Sequence, residues 1–177
     1  MRIQSSRFNL YLWVLLVAFA CAGCSSTSLK RRMTALDLYL ELGRGEAGRG
    51  KSVPVYRSKP VMISISPEAF LSEGSVSKAK VIEAVGGFEI QIEFERRGSW
   101  ILEQFTSGNR GRRIVIRADF PDPSAPKTRI ERWIAAPMIT GRIGTGILTF
   151  TPDCSREEAD EIVRGLNNLA KKLDDSW

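Results

Sequence analysis

The chain has 177 residues, 43% of them apolar and 26% charged, which suits one globular domain with a targeting segment. Its formal charge is +6, falling to +4 if Arg2 and Arg7 leave with an export signal, and no Lys/Arg run is interleaved with aromatics, which argues against nucleic acid as a partner. There is no histidine, so the commonest general base, the commonest transition-metal ligand and any Ser-His-Asp or Cys-His arrangement are excluded. No metal or cofactor is expected.

Residues Met1 to Arg7 are polar and basic, and an apolar run follows from Phe8 to Ala20. At about 13 residues it is short of the roughly 20 that span a bilayer, and it matches the apolar core of a secretory signal. The run stops at Cys21-Ala22-Gly23-Cys24. Small residues before a cysteine resemble the lipobox of bacterial lipoproteins, with Cys21 where that family usually has leucine. The resemblance implies cleavage after Gly23, acylation of Cys24 and anchoring to a lipid bilayer through it. Several acyl chains at about 0.8 kcal/mol per buried methylene give a stable anchor. Ser25 and Ser26 in place of Asp imply release to the outer membrane, facing the periplasm. The expected division is 1–23 signal peptide, 24–34 lipidated tether and 35–177 a single α+β domain.

The remaining thiol, Cys154, has no partner for an internal disulfide and reads as a small, partly buried apolar residue. From Ala35 the pattern has period two: Leu36, Leu38, Leu40 and Leu42 share one face of a strand. The four glycines from Gly43 to Gly50 lack the Lys-Ser/Thr ending of a phosphate loop and predict a flexible hairpin loop. Pro54 and Pro60 break Val53 to Ser66 into an edge strand or two short pieces. Phe70, Leu71 and Val76 are inward anchors of an irregular stretch. Ala79–Val85 and Phe88–Glu95 predict a hairpin about Gly86-Gly87. Its acidic row (Glu89, Glu93 and Glu95) points into solvent without converging on a metal. Helical spacing runs from Ser99 to Ser107, stopped by Gly108. Strands follow at Arg112–Phe120, Arg129–Ala136 and Gly146–Phe150, with an exposed loop at Pro121–Pro126. The last element starts at a capping box, Ser155 with Glu158, and carries the stripe Ala159, Ile162, Val163, Leu166, Leu169, Ala170 and Leu173. The pieces predict an antiparallel sheet with two helices packed on one face.

Within this order Gly98, Thr106, Asn109, Gly111, the strand Arg113 to Ile116, Ala136-Pro137, Ile139, Ile143, Gly144, Gly146, Phe150-Thr151 and Glu158-Ala159 form a recognisable series. Leu71, Val76, Ala79 and Val81 precede it. From about Val61 to Leu173 the series resembles the head part of the large first periplasmic domain of SecD, a membrane protein that assists protein export. The family's tight Asp-Gly turn is replaced here by the Pro-rich segment Asp119–Lys127. The family's membrane helices and their proton-coupling acidic residues have no counterpart in this sequence, so a motor role does not transfer.

The resemblance implies a non-catalytic, membrane-anchored module that contacts exported polypeptide, or an accessory in envelope assembly. The alternative is a structural envelope protein in stable complex with another subunit. Peptide could pair with an edge near Val53–Val61 or meet the loop at Pro121–Pro126. Trp100 and Trp133 are candidate partner-binding aromatics, together with Asp119 and Asp122 in the loop. Those two aspartates are also the nearest carboxylate pair for an enzyme, although turn formation accounts for them. Ser75-Val76-Ser77-Lys78 has the Ser-x-x-Lys spacing without the other motifs of β-lactamase-type enzymes.

Overall fold

The computed structural model describes residues 33–43, 45–125 and 127–175, all within one compact unit, Arg32–Trp177. The leader, Gly23 and Cys24 lie outside the described residues. In chain order the elements are β1 (Ala35–Leu40), β2 (Lys51–Val55), β3 (Val61–Ile65), β4 (Leu71–Ser72), β5 (Val76–Ala84), β6 (Gly87–Phe94), α1 (Arg96–Gly108), β7 (Ile114–Pro121), β8 (Arg129–Ala135), β9 (Ile147–Phe150) and α2 (Arg156–Asp174). The class is α+β and the strand pairs are antiparallel. The strands divide among three sheets, β4-β1-β7-β8, β2-β3 and β5-β6-β9. Period-two patterning assigns faces within each strand and carries no information about which strands share a sheet.

The four-stranded sheet has an apolar stripe on each side. On its inner face Leu36, Leu38, Ile116, Ala118 and Phe120 join Ile90, Ile92, Leu148 and Phe150 of the three-stranded sheet, with Leu102 of α1 and Ile162 and Leu166 of α2. Both helices therefore feed one core. On the outer face Val115 and Ala136 are covered by Val53, Val55, Ile63 and Ile65 of the β2–β3 hairpin. This second small core accounts for the buried Val115 on the outer side of β7, where Arg117 and Asp119 are the next residues.

Four local features depart from expectation. The glycine-rich segment 43–50 joins β1 to β2, strands of different sheets, because both flanks of β1 are taken by β4 and β7. It is therefore a crossover rather than a hairpin loop. At the β5–β6 corner Ala84 opposes Gly87, so the two-residue turn is Val85-Gly86. Gly86 takes φ 85° there, a conformation that costs glycine little. Helix α1 starts at Arg96 because the Glu95 carboxylate accepts from the backbone N–H groups of Arg97 and Gly98. Glutamate is outside the usual set of capping residues, so the sequence pattern missed that turn. The last strand of the four-stranded sheet bulges, with a register shift opposite Ile116 and Arg117. At α2 both halves of the capping box are present.

Candidate functional site

The β2–β3 hairpin stands beside β8, and between them lies a cleft of about 330 Å³ lined by Pro54, Tyr56, Arg57, Pro60, Arg117, Glu131, Arg132 and Trp133. Pro54 lies within β2 opposite Met62, Pro60 immediately precedes β3, and the chain turns between Val55 and Val61. Tyr56 takes φ 73°, a left-handed conformation that costs a bulky residue roughly 1–3 kcal/mol. Packing of its ring against the outer core holds it there. The next backbone N–H, that of Arg57, donates to Asp153, and the Arg57 guanidinium reaches Asp153 and Glu158 at 3.6 and 3.8 Å.

Trp133 is one of the lining residues. Its ring meets Tyr39 edge-to-face at 5.2 Å and 63°, an orientation aromatic quadrupoles favour. It sits opposite Arg117 in the β7–β8 register. Arg117 in turn lies between Asp37 at 2.5 Å and Glu131 at 2.8 Å. Arg132 belongs to the other face of the strand. It crosses the Phe120 ring at 5.6 Å and donates to Glu158 at 2.6 Å. Burial alone would raise the Glu158 carboxyl, but the Arg132 and Ser155 N–H hydrogen bonds and the charges of Arg132 and Arg57 outweigh it, and the net shift is downward.

The structure thus brings together two features the sequence singled out separately, Trp133 and the Pro-broken segment. Within that segment it selects Tyr56 and Arg57, and it adds Arg117 and Arg132, which the sequence pattern does not single out. A residue alternating with Trp133 along a strand, as Arg132 does, carries a visible signal; the positions of Arg57 and Arg117 depend on long-range pairing.

The other candidates do not line this cleft. Trp100 stands on α1 and is 61% exposed. Asp119 pairs with Arg129 at 2.8 Å. Asp122 accepts from the Ser124 hydroxyl and backbone N–H, and these bonds hold its carboxyl below its ordinary value. Both aspartates therefore shape the loop between β7 and β8. In the Ser-x-x-Lys stretch the Ser77 hydroxyl donates to the Glu93 carbonyl. Burial first, then the nearby Glu158 charge, pushes the Cys154 thiol up to about 12, so it is protonated at neutral pH and a weak nucleophile. Among the described residues no cluster of His, Cys, Asp or Glu could hold a metal ion. A second cleft of similar size lies between β4 and α1, lined in part by Phe70, Leu71, Glu95, Arg97 and Ile101. The Phe70 ring is stacked on Phe105 at 4.4 Å.

No protein-family model matches the chain, and no curated protein sequence matches it. Among the solved structures that share its fold are two of SecDF. SecDF, described as a membrane component that enhances protein export, superposes with a TM-score of 0.54 at 16% identity, over 83% of this chain and 70% of that chain. SecDF in a super-membrane-facing form gives 0.53 at 19% identity, over 82% of this chain and 21% of that chain. The chain thus spans about a fifth of the second protein. The resemblance to a SecD periplasmic domain is one of fold, and it extends over more of the chain than the stretch from Val61 to Leu173 that carries the sequence likeness.

Proposed function

We propose that this chain is a lipid-anchored envelope protein, held through Cys24 and facing the periplasm from the outer membrane. There it contacts polypeptide without catalysing a reaction, as an accessory to protein export or envelope assembly. The observation that carries this reading is the cleft in which Trp133, Tyr56 and two prolines meet beside an edge strand, on a scaffold shared with a protein that enhances export. An aromatic and proline-lined groove next to a strand edge suits an extended chain better than a small polar substrate. The anchor is supported by the Ala22-Gly23-Cys24 sequence after a short apolar run. No helix among the described residues is long and apolar enough to cross a membrane.

The test is photocrosslinking in cells from position 133, with position 100 as the second probe, under pulse-labelling. Newly made exported chains captured from position 133 and lost during the chase support the reading. One constant partner throughout the chase, captured from the exposed Trp100, replaces it with the structural-subunit alternative. Mass spectrometry of the same material checks the anchor, which predicts an N-terminal Cys24 carrying fatty-acyl mass. An unmodified N-terminus elsewhere rejects it.

A further inference from the structure

The hydrogen-bond phase of β8 shows which of its backbone groups are used. Asp122 N–H donates to the Thr128 carbonyl at 3.0 Å, and Ile114 N–H donates to that of Pro137 at 2.9 Å. On the far side of β7, Glu41 N–H donates to the Arg113 carbonyl, so alternate residues of β7 serve β1 and the ones between them serve β8. In an antiparallel ladder this alternation leaves every second residue of the edge strand pointing outward. In β8 the inward residues are Ile130 and Arg132, opposite Phe120 and Ala118; the outward ones are Arg129, Glu131 and Trp133. Among the described residues no strand pairs with β8 on that side. The β2 strand lies over the outer face of this sheet, in the β2–β3 hairpin, and is not paired with β8.

The open stretch has defined ends. The Asp122–Ser124 turn and its bond to Thr128 close it before Arg129. After Trp133 the strand bulges, and the Ile134 carbonyl is taken by Asp153 N–H at 2.7 Å. What remains is a five-residue edge, Arg129 to Trp133, whose outward side chains share the face of the cleft.

We propose that this edge is where polypeptide binds, by adding an extended segment of another chain as a fifth strand beside β8, with the segment residue opposite Trp133 seated against Trp133 and Tyr56. The proposal rests on the polypeptide-binding reading above and names its mode. Outward N–H and C=O groups spaced two residues apart match the backbone of an extended chain, whatever its sequence. A second copy of this protein is a poor occupant. Two-fold pairing of the window about its centre places Glu131 directly opposite Glu131, and like charges in that position are destabilising. The same carboxylate favours a neutral or basic residue in the bound segment. The charged Arg129 and Glu131 also keep the edge from open-ended association.

The test uses the full chain recovered from membranes and, as probe, a fluorescent nine-residue peptide alternating apolar and Lys/Thr residues, read by anisotropy. Backbone N-methylation of one alternate set of peptide residues abolishes pairing, whereas methylation of the other set leaves affinity within about twofold. Glu131→Pro removes an outward N–H without touching the β7 ladder, a change edge strands tolerate, and weakens binding at least about tenfold. If Glu131→Pro does not fold, the two methylated peptides on the unaltered protein decide the matter. Binding that survives both methylations equally overturns the edge-pairing mode and leaves polypeptide binding standing. Failure of the parent peptide and of a permanently unfolded carboxymethylated polypeptide to bind overturns the broader reading as well. Dimerisation through this edge, seen by light scattering and lost in Glu131→Pro, assigns it to a second copy and overturns the proposal.

Discussion

Replacing Gly165 by alanine adds one methyl group where α2 meets the start of β1. An ideal Cβ there would lie 2.2 Å from Thr34 Oγ1, 2.6 Å from Thr34 N and 2.8 Å from Thr34 Cβ. Ordinary Cβ contacts begin at 3.4 Å, so the Thr34 backbone would have to retreat by most of an ångström. It cannot do so freely, because Thr34 is 1% exposed and Ala35 beside it is registered against Asp119 of β7. Overpacking of this kind costs about 1–3 kcal/mol, and the rigid backbone neighbour puts it near the top of that range. Alanine is favoured over glycine in a helix by about 1 kcal/mol. The expected net loss is about 2 kcal/mol, or a fall in Tm of about 4–8 °C for a domain of this size. Thermal melts followed by circular dichroism measure it directly. Thr34→Gly in the same background removes the hydroxyl and Cβ contacts but not the one to N, so a double-mutant cycle shows partial recovery. An unchanged or raised Tm for Gly165→Ala refutes the close approach, because helix propensity would then be the only effect present.

Two further outcomes follow from the chemistry around the cleft. The folded Glu158 carboxyl lies below its ordinary value of 4.5, so its contribution is present above about pH 4.5 and is lost as pH falls through the folded value. Glu158→Gln keeps a side chain able to cap Ser155 but loses the charge that Arg132 meets. It costs about 1–3 kcal/mol at neutral pH and flattens the acid loss, measured by urea unfolding between about pH 3 and about pH 7; identical acid slopes for the two proteins would remove Glu158 from this role. With the Cys154 thiol at about 12 against an ordinary 9.0, its thiolate fraction near pH 8 drops about 1000-fold. Iodoacetamide labelling of Cys154, followed by peptide mass spectrometry, is expected to be slower by that order in the folded protein than in denaturant, and comparable rates would show an exposed thiol.

Elements whose cause is local could be read from the residues in order. The capping box at Ser155, the Leu36–Leu38–Leu40 alternation and the α2 stripe from Ala159 to Ala170 each depend on neighbours within a few positions and stand where the pattern put them, whereas Leu173 at the end of that stripe is exposed. The first turn of α1 was missed because its cap is a glutamate, Glu95, which seldom serves there. The family likeness came from spacing along the chain, which survives low identity because turns and caps constrain it. Sheet membership was not legible, since a strand alternates in the same way whichever partner it finds. For that reason the Pro-broken segment and Trp133, 73 positions apart from Pro60 to Trp133, stand as separate candidates in the sequence and share one cleft only in the fold. The pairing phase that turns Glu131 and Trp133 outward is likewise set by contacts from Glu41 to Arg113 and from Asp122 to Thr128. Local backbone and side-chain preferences act over a few residues and write themselves into the sequence; hydrogen-bond register between distant strands is decided only when the sheets assemble.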